Sequence, residues 1–367
     1  MFSLGELKLA GCFVIAEAGV NHNGDLDLAI DLVDAAVASG ADAVKFQVFQ
    51  AEQLLTYSAP KANYQLETTS KAQSQYEMIK DLELGEPEFI ELARHCSKVG
   101  IEFLATPFDH QSLKFLAETL KVKRLKVSSG DLTNAPLLLA CAQTNLPLIL
   151  STGMASLAEI EHALRVVGFG LAEPARDFCE QKAEQKFIGS SVQDLLREKV
   201  SILHCSTEYP ADVAGVHLRV METLETAFRL TVGYSDHTAG IAVSVAAAAR
   251  GARIIEKHFT LDRGMEGPDH RASLEPHELR EMVAMIRQVE AAIGSSVKLP
   301  SPLELETVAA ARKSLVATDH IEPGQTFNVD NMGVKRPGSG VSPAKYWSYL
   351  GRVAKRGYMP GDLLAEE

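Results

Sequence analysis

The chain alternates short apolar segments with longer amphipathic segments, and this repetition restricts its fold more than any other feature. The short segments are rich in Val, Ile, Leu and Phe, which predicts buried β-strands. The predicted strands cover residues 12–17, 42–47, 101–106, 123–128, 146–151, 200–205, 230–235 and 253–258. The longer segments place apolar residues at i, i+3, i+4 and i+7, as helices packed on one face do. The predicted helices cover residues 26–39, 86–98, 111–120, 135–144, 156–167, 216–227, 239–250 and 276–293.

Eight strands, each followed by a helix, make up a (β/α)8 or TIM barrel, a fold of the α/β class. The main alternative is an open, doubly wound sheet, which usually has fewer such units. That fold also often carries a GxGxxG motif after its first strand, and none is present there. The sequence therefore favours the barrel.

The 367 residues are enough for one barrel of roughly 250 residues and a small second domain. We predict a barrel catalytic domain over residues 1–294, in which residues 168–199 form a helix-containing insertion. Residues 295–312, with prolines at 300 and 302, are predicted to be a linker. Residues 313–367 combine short strand-like runs with an EPGQ turn, which predicts a small, mostly β domain.

The composition excludes several classes of protein. A net charge of −12 disfavours a nucleic-acid-binding protein, which is usually basic. No apolar run approaches the ~20 residues of a membrane span, and the N-terminus lacks the basic and apolar regions of a signal peptide. The five cysteines form no CxxC pair, which favours reduced thiols. We therefore expect a cytoplasmic protein with no membrane or nucleic-acid partner.

Polar residues stand at the ends of nearly all predicted strands, where a buried strand should be apolar. They are Glu17, Lys45, Gln47, Thr106, Lys126, Ser128, Ser129, Ser151, His204, Ser235, Glu256 and His258. Barrel enzymes carry their active sites at the carboxyl ends of the strands, and burying an unpaired Lys or Glu is costly. A serine at a strand end is more often a helix cap, and the lysines could simply pair with the glutamates. Two lysines and two glutamates at one rim nevertheless favour an enzyme.

The residue types at this rim indicate two kinds of ligand. Lys45 and Lys126, together with the serines, could hold a carboxylate and a phosphate. His237 and His258 follow neighbouring strands and could hold a divalent metal ion. His22 could join them or contact substrate, and Asp269 could contact either substrate or metal. The other histidines are expected to be surface or hydrogen-bonded residues: His95, His110, His162, His217, His277 and His320.

The motifs resemble one family over almost the whole chain and in the same order. They are AEAGVNHNG, VKFQ, TPFD, KVSSGDLTN, LSTGMAS, LHCSTEYP, GYSDHTAG, EKHFTLDR, GPDH and KRPGSG, and they are similar to those of the sialic acid synthases. The resemblance implies a TIM barrel followed by an antifreeze-like (SAF) domain. It also implies a domain-swapped homodimer, in which that tail covers the partner's barrel mouth. The insertion at 168–199 departs from the compact family pattern.

The resemblance also implies roles for individual residues. Glu17 and Glu256 would flank the reacting carbon, and His237 and His258 would hold Mn²⁺ or Mg²⁺. The phosphoenolpyruvate-binding residues would be Lys45, Thr106, Lys126, Ser129, Ser151 and Ser235. The residues that position an N-acyl amino sugar would be Gln47, Tyr209, Asp269 and, from the tail of the second subunit, Arg336.

The expected reaction condenses phosphoenolpyruvate with N-acetylmannosamine and water, giving N-acetylneuraminate and phosphate. The alternative substrate is a 2,4-diacetamido-6-deoxy hexose, giving legionaminic or pseudaminic acid. GPDHRASLEP and SQYEMIKDLEL look more like the neuraminate and legionaminic branches. A 9-phosphate sugar would need a further basic site, for which there is no clear candidate. A non-catalytic sugar- or ice-binding protein, suggested by the tail, would leave the glutamates, lysines and histidines of the rim without a purpose.

Overall fold

The structure is a computed structural model that describes residues 11–70 and 72–366. The first ten residues, on which the signal-peptide prediction rests, lie outside the described residues. The chain divides into two compact units, one ending at Gly294 and the other beginning at Ser295. None of the helices in the described part of the chain has both the length and the apolar character needed to span a membrane.

Eight parallel strands form the sheet of the first unit, in the order β3-β2-β1-β8-β7-β6-β5-β4. Strands β3 and β4, at the two ends of this order, contact each other, so the sheet is a nearly closed barrel. The predicted fold class is confirmed, and each predicted strand lies within a few residues of an observed one. The strands are β1 Phe13–Gly19, β2 Ala43–Val48, β3 Glu102–Pro107, β4 Leu125–Val127, β5 Leu148–Ser151, β6 Val200–Cys205, β7 Thr231–Asp236 and β8 Ile254–His258.

Helices connect these strands, and local sequence signals set several of their ends. Asp25 accepts hydrogen bonds from the first turn of one helix, and Ser156 forms a capping box with Glu159 at the start of another. Gly100 ends a third helix with φ +84°, a left-handed conformation that favours glycine. The helices of this unit are α1 Leu26–Ala38, α2 Ala51–Leu54, α3 Asn63–Thr68, α4 Gln75–Asp81, α5 Glu86–Val99, α6 His110–Lys114, α7 Ala135–Gln143, α8 Leu157–Ala172, α9 Glu180–Phe187, α10 Ser190–Lys199, α11 Val220–Phe228, α12 Ala242–Ala249 and α13 Pro276–Ile293. A π-helical stretch, Phe115–Leu120, continues α6.

The barrel interior is filled in layers by alternate residues of the strands. Near the amino ends, Arg124 pairs with Glu102 at 2.7 Å and lies over the Phe13 ring. Above it is an apolar layer: Ile15, Ala43, Leu104, Ile149, Leu203 and Ile254. A Cβ on Gly233 would lie 2.6 Å from Leu203, so this layer has no room for a larger residue at 233. The interior is therefore closed below the carboxyl ends of the strands.

Two segments add to the basic barrel. Residues 168–199 contain helices as predicted, but 168–172 belong to α8, so the insertion proper begins later. It joins α8 to the amino end of β6. The second segment, residues 51–82 between β2 and β3, contains α2 to α4. Its own small core consists of Val20, Phe49, Met78 and Leu82, with Leu54, Ile79 and Phe108 packed against it.

The second unit has little regular structure. Strands β9 Ser314–Ala317 and β10 Met332–Lys335 pair antiparallel, and isolated bridges join Val316 to Leu363, Ile321 to Tyr358 and Thr326 to Val353. Its core includes Leu315, Phe327 and Tyr349. The helices are α14 Pro302–Ala311 and α15 Tyr346–Tyr349. Helix α14 occupies much of the predicted linker and begins with a capping box at Ser301. Much of the predicted linker is therefore helical, because the cap and the following helix-forming residues favour a helix.

Candidate active site

A cavity of about 750 Å³ lies at the carboxyl ends of the barrel strands. The structure brings all the predicted site residues of the barrel together around it. They are Glu17, Lys45, Gln47, Thr106, Lys126, Ser129, Ser151, Tyr209, Ser235, His237, Glu256, His258 and Asp269. Most of them are strand residues that point into the barrel and form the next layer above the apolar layer, toward the carboxyl ends of the strands.

A bulge in β1 shapes the first wall of the cavity. The pairing of β1 with β2 shifts between Glu17 and Gly19, and Gly19 has φ +57°. A Cβ at Gly19 would lie 3.3 Å from Glu17 Oε1 and 3.4 Å from Gln47 Nε2. Glycine is therefore favoured here mainly by the backbone conformation, and a larger residue would also have to shift the ends of these two side chains slightly.

The floor of the cavity is a buried cluster of two lysines and two glutamates. Lys45 Nζ lies 2.8 Å from Glu17 Oε2 and 3.6 Å from Glu256 Oε2. Lys126 Nζ lies 3.4 Å from Glu256 Oε1. All four side chains are almost completely buried, so each charge depends on the others for stabilisation. The lysines therefore do pair with the glutamates, as the alternative interpretation of the sequence expected. This pairing occurs at the floor of the cavity, where an anionic ligand would also bind.

The two carboxyl groups of this cluster have different proton affinities. Burial raises the pKa of Glu17 to about 7, although Lys45 beside it acts in the opposite direction. Burial also disfavours the charge of Glu256, but Lys126 and Lys45 outweigh it and lower the pKa to about 2. At neutral pH, Glu256 is ionised while Glu17 can gain or lose a proton. Such a divergence is typical of carboxyl pairs with distinct tasks.

The lysines differ in the same way. Burial lowers the pKa of Lys126. Burial acts similarly on Lys45, but Glu17 and Glu256 outweigh it and raise its pKa. Lys126 is therefore the cation that gains more from an added anion.

Hydroxyl groups surround the lysines. Lys126 Nζ donates to Ser151 Oγ at 2.7 Å, and Lys45 Nζ donates to Thr106 Oγ1 at 3.3 Å. Ser235 Oγ donates to Glu256 Oε1 at 2.9 Å. These contacts orient a set of donors toward one region of the cavity, which suits a ligand with several anionic oxygens.

Ser129 lies on the same side of the cavity, at the start of a 3-10 turn, Ser129–Asp131. Its Oγ accepts a hydrogen bond from Gly153 N–H at 3.0 Å. The neighbouring Ser128 caps the turn through Asp131 N–H, so the two serines have separate tasks.

The two histidines lie side by side, with ring centroids 5.4 Å apart. His237 Nδ1 lies 2.6 Å from Ser206 O, so Nδ1 carries the proton and Nε2 is left to bind a ligand. His258 Nδ1 is buried without a hydrogen-bond partner, and burial lowers the pKa of this residue well below its usual value. A neutral, unpartnered imidazole is the form that binds a metal ion.

A metal ion held by the two histidines would find few other protein ligands among the described residues. No group of three or more His, Cys, Asp or Glu side chains with suitable spacing occurs among residues 11–70 and 72–366. The residues present therefore fit an ion held by two imidazoles, whose remaining ligands come from water and substrate. Burial raises the pKa of Asp269 to about 6, and its carboxyl group also lines the cavity.

Tyr209 lies over the histidine pair. Its ring centroid is 4.2 Å from that of His237 and 5.6 Å from that of His258, the latter edge-on. The ring therefore restricts the orientation of both imidazoles and forms part of the cavity wall.

Two residues named from the sequence lie elsewhere. His204 faces away from the barrel interior, and its Nε2 bonds to Val216 O at 2.6 Å. His22 does not line the cavity; its ring packs near Phe46, and its Nδ1 accepts a hydrogen bond from Gly24 N–H. His204 points outward because successive residues of a strand face opposite sides of the sheet, whereas His22 lies beyond the end of β1, in the turn that follows it.

The sequence reasoning also missed a cavity residue on β6. Cys205, not His204, faces the interior, and its Sγ lies 3.7 Å from His237 Nδ1. Burial favours the neutral thiol, but His237 outweighs it and lowers the pKa of Cys205. Because Leu203 faces the barrel interior and alternate residues of a strand face the same side, the position of Leu203 could have identified Cys205 as an interior residue.

Arg336 belongs to the second unit and follows β10. Its side chain is exposed, and its Nε donates to Ala311 O at 3.0 Å. Its predicted contact with the sugar bound by a partner subunit stays a prediction.

An eight-stranded parallel barrel with a charged cavity at the carboxyl ends of its strands defines the class of (β/α)8-barrel enzymes. The profile of the NeuB family matches residues 32–298. The chain belongs to this family, the sialic acid synthases, and the predicted family is confirmed.

Relatives narrow the comparison within the family. The N,N'-diacetyllegionaminic acid synthase of Campylobacter jejuni is 46% identical over 96% of this chain and 98% of its own. The enzyme of the same name from Legionella pneumophila is 44% identical over 93% of this chain and 89% of its own. A solved structure, the N-acetylneuraminic acid synthetase of Leptospira borgpetersenii in complex with citrate, is 34% identical, with a TM-score of 0.65. The match covers 81% of this chain and 90% of that one. The two legionaminic acid synthases favour the legionaminic alternative over the N-acetylmannosamine reaction expected first.

Proposed function

We propose that the protein condenses phosphoenolpyruvate with a 2,4-diacetamido-6-deoxy hexose and water, giving N,N'-diacetyllegionaminic acid and phosphate. The observation that carries the proposal is the single cavity in which two buried lysines and two glutamates lie beside a pair of histidines. The two legionaminic acid synthases support the choice of sugar. N-Acetylmannosamine is the second candidate, supported by the Leptospira borgpetersenii structure.

Phosphoenolpyruvate would bind on the lysine side of the cavity. Lys126, which pairs with Ser151, and Lys45, which pairs with Thr106, supply the positive charge for a carboxylate and a phosphate. Ser129 and Ser235 would add hydroxyl donors. Binding an anion here would also offset the burial that lowers the pKa of Lys126.

The carboxylates would act at the reacting carbon. Carbon 3 of phosphoenolpyruvate forms a bond to the sugar aldehyde carbon, which leaves positive charge on carbon 2. Ionised Glu256 stabilises this charge, and water adds to carbon 2 while Glu17 takes its proton. Glu17 passes that proton to the former aldehyde oxygen, which becomes a hydroxyl group. The tetrahedral intermediate then loses phosphate as its C–O bond breaks, and the carbon 2 hydroxyl gives its proton to the departing phosphate, leaving a nine-carbon 2-keto acid.

His237 and His258 would hold Mn²⁺ or Mg²⁺. When bound, such an ion supplies Lewis-acid polarisation of the aldehyde oxygen. His237 would bind through Nε2, because its Nδ1 contacts a backbone carbonyl, and burial keeps His258 neutral by lowering its pKa. Burial also disfavours the charge of His237, but Cys205 outweighs it and raises the pKa, so a bound ion would compete with a proton there.

The amino sugar would extend from the reacting carbon toward the rim. Gln47, Tyr209 and Asp269 line that part of the cavity. We further propose a domain-swapped homodimer, in which the second unit acts as an antifreeze-like (SAF) domain and Arg336 reaches the N-acyl group of the sugar in the partner's barrel. A planar guanidinium orients an amide oxygen better than an ammonium does.

The proposal is tested by phosphate release from phosphoenolpyruvate. The purified chain is incubated with phosphoenolpyruvate and the diacetamido sugar, N-acetylmannosamine or no sugar. Each mixture is measured without EDTA, with EDTA, and with EDTA followed by excess Mn²⁺. We expect phosphate release that depends on the sugar, is abolished by EDTA and is restored by Mn²⁺. Mass spectrometry should then detect the nine-carbon keto acid. No release with either sugar would refute the synthase function, and release unaffected by EDTA would refute the metal role. Lys45→Met provides an inactive control.

A further inference from the structure

One wall of the active-site cavity is apolar, in contrast to its charged floor. Val20, Ile79 and Phe108 line the cavity and come from three separate places in the chain. Val20 follows the end of β1, Phe108 follows the end of β3, and Ile79 lies on α4 in the segment between β2 and β3. We call these three residues the apolar wall.

The apolar wall is held in place by a core of its own. Val20 packs in the small cluster with Phe49, Met78 and Leu82, and Ile79 and Phe108 pack against that cluster. The rings of Phe49 and Phe108 meet edge-on with centroids 6.3 Å apart. Because Met78 and Leu82 on either side of Ile79 are buried, the face that α4 presents to the cavity is preformed.

The position of the wall matches the far end of a sugar. The reacting carbon must lie near Glu17 and Glu256, which belong to strands. The apolar wall lies beyond the strand ends, on the β1–β3 side, where Gln47 also lines the cavity. A hexose whose aldehyde carbon is at the floor therefore directs its carbons 4 to 6 toward the rim.

The chemistry of the wall distinguishes between sugars. Its three side chains offer no hydrogen bond to a hydroxyl group, so a hydroxyl placed against them loses its water without compensation. A methyl group at the same place buries apolar surface, which is favourable. The neighbouring Gln65 is polar, but its Oε1 accepts a hydrogen bond from Ala62 N–H and so takes part in the start of α3.

We propose that Val20, Ile79 and Phe108 determine substrate specificity by binding the apolar substituents of a deoxy, diacetamido sugar. These substituents are the methyl group at carbon 6 and the acetyl methyl at carbon 4. The wall disfavours N-acetylhexosamines that carry hydroxyl groups there. This inference rests on the proposed function, because it assigns residues to the sugar of that reaction.

The test compares kcat/KM for three sugars: N-acetylmannosamine, its 6-deoxy form and the 2,4-diacetamido-6-deoxy hexose. We expect the parent protein to favour the two deoxy sugars. Ile79→Thr keeps the branched shape but places a hydroxyl in the wall. It should lower the preference for a deoxy sugar about tenfold, the size expected for one apolar contact in a pocket. Its kcat/KM with N-acetylmannosamine should not fall and should rise where the new hydroxyl can bond to the sugar.

Two further variants make the result decisive. Val20→Thr is similar in volume to the parent residue and should shift the preference in the same direction, so it replaces Ile79→Thr if that variant fails to fold. Ile90→Thr, on α5 and packed against the main core, makes the same substitution outside the cavity and should keep the parent preference.

The outcomes separate this inference from the proposed function. A loss confined to the diacetamido sugar assigns the wall to the carbon 4 acetyl group, and a loss for both deoxy sugars assigns it to the carbon 6 methyl. A parent protein that favours N-acetylmannosamine, or variants that keep the preference or lose all three sugars equally, would overturn the inference. Absence of phosphate release with every sugar would instead refute the proposed function.

Discussion

Replacing Lys257 by Met should destabilise the barrel strongly, although the residue lies outside the cavity. Lys257 Nζ lies 3.1 Å from Asp236 Oδ2, and both side chains are almost fully buried behind β7 and β8. Lys257 also donates to Thr238 O. Asp236 accepts hydrogen bonds from Thr238 N–H at 2.9 Å and from Ser244 Oγ at 2.6 Å. Lys257→Met therefore leaves a carboxylate buried without its cation.

Breaking a buried ion pair by removing one partner costs about 3–5 kcal/mol. With an unfolding entropy of about 2.1 cal/mol/K per residue, this loss lowers the Tm of a unit that ends at residue 294 by about 5–8 °C. The measurement is thermal unfolding followed by circular dichroism at 222 nm, together with urea unfolding at 25 °C.

Two controls determine whether the reasoning holds. Lys80→Met removes the same ammonium from a half-exposed cluster with Glu52 and Glu83, where an ion pair contributes about 0–1 kcal/mol. The double variant Asp236→Asn with Lys257→Met removes both charges and should regain most of the lost stability. If Lys257→Met costs no more than Lys80→Met, or if the double variant is the less stable one, the buried pair does not act as described.

Three other outcomes are expected. The pKa of Glu17 is about 7 and its ionised form takes a proton, so kcat/KM should rise as the pH increases through 7. Glu17→Gln should give a low kcat/KM that does not change with pH. If the variant keeps the rise, Glu17 is not the proton acceptor. Lys126→Met should lower kcat/KM for phosphoenolpyruvate by about 10- to 150-fold, equivalent to the about 1.5–3 kcal/mol of a charged hydrogen bond. The KM for the sugar should change little. If only the kinetics with the sugar are impaired, phosphoenolpyruvate binds elsewhere. Mixing inactive Arg336→Ala with inactive Lys45→Met should restore activity if subunits share a site, and no recovery after subunit exchange would contradict the swapped dimer.

The strands and the position of the active site could be predicted from the sequence because both depend on local patterns. Runs such as VSILHC are buried on both sides, so they are recognisable as strands. The same double burial hides the alternation that tells which side each residue faces. This is why the sequence marked His204 as a polar strand end and did not mark Cys205, and why Asp236 and Lys257, polar but outside the cavity, carried no signal.

The segment between β2 and β3 was beyond sequence reasoning for a different reason. Its helices are short, and its core is completed by Val20 and Phe108, which are distant in the chain. Periodicity within a window cannot show such a contact. The capping box at Ser74 and Glu77 is the one local signal that marks α4.

The two added segments have different consequences for how such a chain can change in length during evolution. Residues inserted between α8 and β6 enter the barrel at the amino end of a strand, on the opposite side from the chemistry. That connection can lengthen or shorten with little effect on turnover. Residues inserted between β2 and β3 border the cavity, so each gain or loss there alters which molecules fit. Length variation among relatives should therefore be neutral at the first position and should accompany a change of substrate at the second.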